Sequence, residues 1–552
     1  MPENSIFRRK SISTILKQTE ESHGSGLNKV LGVRDLTSFG IAAIIGAGIF
    51  STIGRASFDG GPAVTLLFLF VSIACVFTAL CYAQFASMVP VSGSAYTYGY
   101  VSFGEIFAWV IGWALILEYA VSNMVVAISW SEYFVSMLRG FGINFPNFLT
   151  FDYGTAHRAF VLGQTEKLVG GDIAAAQAYA NAPLIGGFHF LIDLPAGVIT
   201  MLVTALVYVG IKESRNVSNF LVALKLAVIL LVIGVGAFYV KPDNWTPFAP
   251  NGSTGVLKGV ALVFFAFIGF DSISTMAEEC KNPQRDLPRA MIYCLVICAV
   301  LYVMITLVLT GMVNYTELKV DDPLAYVFQK VNLDFVAGVI SVSAVVAITS
   351  ALLVYQMGQP RIWMSMSRDG LLWERFSKIH PKFKTPSFST IITGLLVAIP
   401  SMFLDMGFVA DLTSVGTFFA FIVVCGGVLY LDHKGLSKDA KFKIPYLNGQ
   451  YIVGILLILS LGYAFYDGTF ISGIQAKPLL AVFWLVWASL AVMALSMKFS
   501  MLPVLGILTN LYLMTELGIT NWLIFLIWLA IGLVIYFSYG YSHSKLKTQN
   551  RD

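Results

Sequence analysis

The sequence predicts an all-α polytopic membrane protein, on three observations. Hydrophobic residues fill 57% of the 552 positions and charged residues only 12%, too little polar material to cover a water-facing surface. Apolar stretches of the roughly 20 residues needed to cross a hydrocarbon core of about 30 Å recur along nearly the whole chain. No polar stretch remains that is large enough for a separate soluble domain.

Hydropathy places about fourteen spans, near residues 36–57, 64–89, 102–137, 193–211, 216–240, 255–277, 289–313, 334–359, 386–405, 409–431, 447–466, 478–497, 499–516 and 519–541. The third is longer than a bilayer requires, so it tilts or protrudes. Segment 10–35 is polar with scattered leucines and is expected to lie on the interface as a short amphipathic helix. The expected organisation is an N-terminal segment over 1–35, a first five-helix unit over 36–240, a second over 255–431, four further helices over 447–541, and a tail over 542–552. The connection over about 138–192 is rich in Gly, Ala and polar residues and reads as a lid or an insertion.

Charge sets orientation, because short cytoplasmic loops collect Lys and Arg. Lys212, Arg215, Lys281, Arg285, Arg289, Arg361, Arg368, Lys378, Lys382, Lys384, Lys434, Lys438, Lys441 and Lys443 fall on one side, with the tail's Lys545, Lys547 and Arg551. The opposite loops hold Asp59, Asp243, Glu317, Asp321, Asp322, Asp405 and Asp467. Both termini are therefore expected in the cytoplasm and the chain in the plasma membrane. Arg8, Arg9 and Lys10 are followed by polar residues, unlike a cleavable signal peptide. The net charge of +4 gives no reason to expect a nucleic acid. The six cysteines form no CxxC pair and read as small apolar fillers.

Two spans carry glycine interruptions at matching places. The first reads Gly40-Ile-Ala-Ala-Ile-Ile-Gly46-Ala-Gly48-Ile-Phe50, the sixth Phe264-Phe-Ala-Phe-Ile-Gly269-Phe-Asp271-Ser-Ile-Ser-Thr275. Glycine costs a helix interior about 1 kcal/mol relative to alanine, and unpaired main chain in lipid costs several kcal/mol per group. Breaks five spans apart point to two inverted repeats of five, with a solute site where the broken helices meet. Amides around Ile44, Ile45, Gly46, Ala47 and Gly48 suit a carboxylate. Carbonyls around Phe265, Ala266, Phe267 and Ile268 suit an ammonium group. The other reading of the same glycines is close helix packing. A dinucleotide fingerprint is excluded, since it needs a soluble βαβ unit.

At these residues a family resemblance emerges. Ile44-Ile-Gly-Ala-Gly-Ile-Phe50 resembles the first helix of the amino acid–polyamine–organocation superfamily. Leu80-Cys-Tyr-Ala-Gln-Phe-Ala86, Pro90-Val-Ser-Gly-Ser-Ala-Tyr-Thr-Tyr98 and Gly112-Trp-Ala-Leu-Ile-Leu-Glu-Tyr119 look like its following elements. Phe264 to Asp271, Glu278-Glu-Cys-Lys-Asn-Pro-Gln-Arg-Asp-Leu-Pro-Arg289 and Gly358-Gln-Pro-Arg-Ile-Trp-Met-Ser-Met-Ser-Arg-Asp-Gly370 are similar to the cationic amino acid transporter branch and its bacterial relatives. The resemblance covers roughly 30–435 and resumes near 499–545. It implies a LeuT-like five-plus-five core, alternating access and, in many members, proton coupling. Gln84 stands where that pattern has glutamate, and Ala47 where it often has Thr or Ser.

Ionisable residues at membrane depth are functional candidates, since each costs at least about 2.5–3.5 kcal/mol there. Lys225 lies about nine residues, or roughly 14 Å, inside the fifth span, too deep for easy snorkelling. The resemblance implies that it replaces a sodium ion between the first-helix break and the eighth helix, where Thr349 and Ser350 are its candidate partners. Its other reading is a tilted span that brings it to an interface. Glu118 reads as a proton acceptor, an attractor of cationic side chains or a structural hydrogen-bonding group. Asp271 reads as an N-cap or as a tuner of the site. Trp113 and Phe265 read as gates or as aromatic packing.

The expected function is secondary active import of amino acids by proton symport, with no cofactor and no enzymatic activity. Lys225, Glu118, Asp271, Thr349 and Ser350 are the coupling candidates. No GxxxxGK[ST] loop is present to bind ATP. An exchanger or facilitator of the same fold differs in lacking uptake that collapses with the proton gradient. A non-transporting amino acid sensor would bind without flux. A channel would need a selectivity element that the sequence lacks, and a membrane enzyme would need a catalytic set that is absent from the spans.

Overall fold

The computed structural model describes residues 6–10, 31–89, 91, 94–165, 168, 171–209, 215–320, 322–383, 385–438 and 440–549. Apart from one two-stranded hairpin, β1 (Leu184–Ile185) with β2 (Phe188–His189), these residues form helices. Helix is the form that satisfies every main-chain group within one apolar segment.

The first half comprises α1 (Val33–Ile44), a five-residue π turn over Gly48–Thr52, α2 (Ile53–Gly60), α3 (Val64–Met88), α4 (Ser94–Ser102), α5 (Glu105–Gly140), the short helices α6 (Tyr153–Leu162) and α7 (Gly171–Ala180), then α8 (Leu194–Val209) and α9 (Arg215–Gly236). The second comprises α10 (Gly252–Lys258), α11 (Val260–Phe265), a 3₁₀ stretch over Phe270–Glu279, α12 (Pro283–Met312), α13 (Pro323–Lys330), α14 (Asp334–Arg368), α15 (Ser387–Ser401) and α16 (Met406–His433). Beyond them lie α17 (Ile452–Tyr466), α18 (Thr469–Ala476), α19 (Leu479–Met497), α20 (Met501–Thr515) and α21 (Ile519–Ile535).

Nine helical stretches among the described residues are long and apolar enough to cross a membrane, or ten if α17 and α18, bent 91° apart, count as one. α8, α15 and α20 are shorter apolar helices within the expected spans 193–211, 386–405 and 499–516. The amphipathic helix expected over 10–35 falls, between Lys10 and Leu31, outside the described residues.

Burial separates core spans from peripheral ones. The most apolar window of α5 is 94% buried and the stretch 260–277 wholly so, against 22% for α19 and for the stretch beginning at Ile519. α5 and α14 are the two longest helices, at 36 and 35 residues. They pack along each other and are joined by polar ties: Gln359 donates to the Ile116 carbonyl at 3.1 Å, and Gln356, bonded to Asn123, donates to Thr204 at 2.7 Å.

The connection after α5 folds as a small cap. α6 and α7 close over Ala156, Ala178, Ala182 and Leu191. Asp152 caps α6 by accepting from the Thr155 amide at 2.9 Å. Burial pushes the Asp152 carboxyl above its ordinary value, against the bonds it takes from Thr155.

The opposite end is tied by the N-terminal basic run. Arg8, 5% exposed, pairs at 2.6 Å with fully buried Glu105. Glu105 also accepts from Tyr100 at 2.8 Å, from Tyr536 at 2.9 Å and from Ser544. Lys10 pairs with Asp369 at 2.5 Å, and Arg9 donates to Tyr430. Asp369 in turn takes a 2.6 Å bond from Tyr96, and its carbonyl takes one from the Lys545 amide at 3.1 Å. The described parts of both terminal segments therefore sit on one face, across the ends of α5, α14 and α16.

Breaking a buried ion pair on one side costs about 3–5 kcal/mol. Arg8→Ala is expected to lower the unfolding free energy in detergent by that order, and Arg8→Met/Glu105→Gln to recover much of it. Equal losses in the single and double variants would show that the pair adds nothing beyond packing.

Candidate functional site

The first span comes apart after Ile44. In a continuous helix the Gly46 amide would reach the Ala42 carbonyl and the Ile49 amide that of Ile45. Instead Gly46 turns to the Ile44 carbonyl at 3.0 Å, and Ile49 and Phe50 both reach the Gly46 carbonyl, at 3.3 and 3.4 Å. The amides of Ala47 and Gly48 take part in none of these bonds. Among the carbonyls this strands are those of Ala42 and Ile45.

Lys225 meets both. Its Nζ, from a fully buried position on α9, donates to the Ala42 carbonyl at 3.0 Å and to the Ile45 carbonyl at 2.8 Å. The ammonium group thus takes the place of two missing amides. Tyr302 of α12 donates to the Ile44 carbonyl at 2.9 Å, and Tyr133 of α5 to that of Phe50 at 2.6 Å.

The sixth span breaks after Phe265. Two tight bonds, Phe267 to Phe264 at 2.9 Å and Ile268 to Phe265 at 3.2 Å, draw the chain into a turn. Gly269 completes it at φ +124°, a region that side-chain-bearing residues rarely adopt. Tyr355 of α14 donates to the Ile268 carbonyl at 3.3 Å. Of the four carbonyls expected to face an ammonium group, those of Phe265 and Ile268 are therefore already engaged, and those of Ala266 and Phe267 are outside these bonds.

The two breaks touch. A Cβ on Gly48 would lie 2.4 Å from the Ala266 Cα, and one on Gly269 2.9 Å from the Ala43 Cβ. Gly46 faces Ala351 of α14, which would lie 3.0 Å from such an atom. Close packing and helix interruption, set apart as alternatives on sequence grounds, coexist at the same glycines. Ile44, Ile45, Ala47, Phe265, Ala266, Phe267 and Ile268 are all buried. In this conformation the breaks are shut against each other.

A cavity of about 310 Å³ begins one turn further on, toward the cap. Ser51, Thr52, Ile128 and Leu262 form its inner end, and cap residues such as Asp152 and Asp172 line its outer part. The cap is pinned over it by Lys319 to Asp172 at 2.6 Å and by Arg158 to Asp405.

The other expected site residues divide. Glu118 and Asp271 are both buried and face a common set of tyrosines, Tyr82, Tyr119 and Tyr355, beside the sixth-span break. One Glu118 oxygen and the hydroxyl of Tyr82 have no hydrogen-bond partner among the described residues. Thr349 accepts from Trp130 at 2.8 Å and donates to the Val345 carbonyl at 2.7 Å, and Ser350 donates to that of Ala347 at 3.0 Å. Neither hydroxyl is bonded to Lys225, whose partners come from α1.

Trp113 is not at the breaks. It stacks on Trp528 of α21 with centroids 4.6 Å apart, and the two indoles donate to each other's carbonyls at 2.7 and 2.9 Å. It belongs to an aromatic seam between α5 and α21, as the packing reading of this residue expects. Phe265 does end α11 at the break. Gln84 bridges Asp432 at 2.7 Å and the Ile444 amide at 2.9 Å, an amide used for both its donor and its acceptor. The tyrosines that close stranded carbonyls, Tyr133, Tyr302 and Tyr355, escaped the sequence reading; the only signal was a hydroxyl in mid-span.

Comparison with known proteins gives a consistent answer. Residues 31–490 match the family described as "Amino acid permease", and 500–544 match "C-terminus of AA_permease". The chain is 39% identical to "Branched-chain amino acid permease BcaP" of Bacillus subtilis (strain 168), over 98% of this chain and 99% of that one. It is 38% identical to the "Methylthioribose transporter" of the same organism, with the same coverage. It is 31% identical to "Cationic amino acid transporter 2, vacuolar" of Arabidopsis thaliana, over 98% of this chain and 93% of the relative. These relatives are named as transporters or permeases, not enzymes.

Any side chain at Gly48 must push the sixth span away. Gly48→Ala is expected to reduce solute uptake at least about tenfold, because its Cβ would stand only 2.4 Å from the Ala266 Cα in a packed contact, with membrane insertion retained. Wild-type uptake would show that the contact is dispensable.

Proposed function

The chain belongs to the amino acid permease family, and on that premise we propose that it imports amino acids across the plasma membrane by proton symport with alternating access. The observation that carries this reading is the Lys225 ammonium bonded to two carbonyls stranded at the first break, those of Ala42 and Ile45.

The proposed cycle uses main-chain groups for the solute. Its carboxylate meets the amides of Ala47 and Gly48 with Gly46 beside them, in the positive field at the start of the following half-helix. Its ammonium group meets the Ala266 carbonyl, joined by those of Phe265 and Ile268 once the sixth span moves. Phe265 lies across the site and Phe267 behind it. The breaks separate to admit solute from the cavity that ends at Ser51 and Thr52. Proton exchange at Lys225 alters its hold on Ala42 and Ile45, and so couples the state of the first span to the proton gradient. Glu118 and Asp271 form a second buried polar group beside the sixth break, available to a proton or to a polar solute side chain. Thr349 and Ser350 border the same eighth span and reach Lys225 only if a hydroxyl changes partner.

Symmetry supports the five-plus-five reading. The first and sixth spans are broken, and the third and eighth, α5 and α14, are the long ones. Together they make a LeuT-like core of two inverted repeats, with α17 to α21 added outside it. The basic loops lie on the side to which both terminal segments belong, which supports cytoplasmic termini.

Relatives of nearly equal identity are named for different solutes, so the substrate panel must include branched-chain and cationic amino acids and methylthioribose. In proteoliposomes, amino acid uptake is expected to be concentrative under an inward proton gradient and to collapse with an uncoupler. Uptake indifferent to the gradient would favour an exchanger or facilitator, and binding without flux a sensor. Lys225→Ala is expected to remove the pH response of uptake while the protein remains inserted. An unchanged pH profile in that variant would refute the coupling role.

A further inference from the structure

We propose that the face carrying both terminal segments holds a binding site for the phosphate of an anionic phospholipid, between the end of α16 and the α19–α20 junction. The site is a second cavity of about 310 Å³, lined among others by Lys438, Lys443, Lys498, His433, Asp432 and Ser500. It does not touch the helix breaks, and its assignment does not depend on the transported solute.

Four features point to an anion. Lys438, Lys443 and Lys498 reach the cavity without an acidic partner among the described residues. Asp432, the acid in the lining, is engaged by Gln84 at 2.7 Å and by Ser437. The Ser500 hydroxyl is buried, with the residue 8% exposed, yet has no hydrogen-bond partner among the described residues. A buried hydroxyl with no acceptor is costly, and an oxyanion that shifts the side chains covering it would relieve it. The floor is also built rather than incidental. Gly449 donates to the Phe499 carbonyl at 3.0 Å and Met501 to that of Leu447 at 2.8 Å, which fixes 499–501 against 447–449 and holds Ser500 in place.

The ends of α16 and α19 present carbonyls here, and lysines commonly neutralise such ends. That role explains positive charge but neither the cavity nor the unpartnered hydroxyl. The rim decides between a lipid and a free phosphate. Tyr446 and Met497, in its lining, stand 59% and 37% exposed, an apolar border suited to acyl chains. Basic pockets at helix ends are the form in which membrane proteins hold anionic headgroups.

The test uses the purified full chain in detergent, titrated separately with phosphatidylglycerol, phosphatidylcholine and inorganic phosphate, with retention read by native mass spectrometry. Phosphatidylglycerol is expected to bind in preference to phosphatidylcholine. At about 1 kcal/mol per lysine, Lys438→Gln/Lys443→Gln/Lys498→Gln should weaken it about a hundredfold. Lys378→Gln/Lys382→Gln, in another basic loop, should not. Ser500→Ala preserves every charge and should cost about fivefold, so it decides the matter if the triple variant does not insert. Unchanged phosphatidylglycerol retention in the triple variant, or in Ser500→Ala where the triple variant is lost, would overturn the site. So would equal losses in both lysine variants, which would mean diffuse surface charge. Inorganic phosphate displacing phosphatidylglycerol at equal concentration would overturn the lipid as occupant.

Discussion

Two carbonyls inside the bilayer, those of Ala42 and Ile45, have no amide to meet, and Lys225 meets both. In lipid a stranded carbonyl has no water to turn to, so a broken helix persists only where another group completes it. Lys225 completes this one from a neighbouring helix. The exchange works in both directions: a lone ammonium in apolar surroundings is costly, and the stranded carbonyls give it two acceptors. The break and the buried charge therefore stabilise each other, and a change in one is felt by the other.

The same solution recurs in neutral form. Tyr302, Tyr133 and Tyr355 each lend a hydroxyl to a carbonyl at or beside a break. These residues come from α12, α5 and α14, so the irregular main chain is held by the regular helices around it. Only Lys225 among these donors can change charge. That difference separates a group that props the break from one that can report a proton to it. The glycines do complementary work: Gly48 and Gly269 let the two spans approach until main chain meets main chain, so opening one break disturbs the other.

Much of this was legible in the sequence because it depends on residue type. Gly46, Gly48 and Gly269 marked the breaks through helix propensity, and Lys225 stood out as a charge at depth. What was not legible depends on which way a side chain points. Thr349 and Ser350 were the partners for Lys225 that the resemblance pointed to, yet their hydroxyls bond elsewhere, and the carbonyls that do receive Lys225 carry no mark in the sequence. Trp113 could be placed in a span but not on a face, and it turned to α21. The Arg8–Glu105 pair joins residues 97 positions apart. From sequence, Arg8 spoke only to topology. The cap over 141–193 was readable as an insertion, while its fold rests on alanine-sized contacts without strong periodicity.

The central claim is that main-chain groups at the paired breaks form the solute site. A density map of the protein with a transported amino acid bound tests it most directly. The account predicts the solute between the two breaks, its carboxylate on the Ala47 and Gly48 amides and its ammonium on the Ala266 carbonyl, with Gly48 and Ala266 moved apart. A solute resting elsewhere, with Gly48 still seated on Ala266, would contradict it.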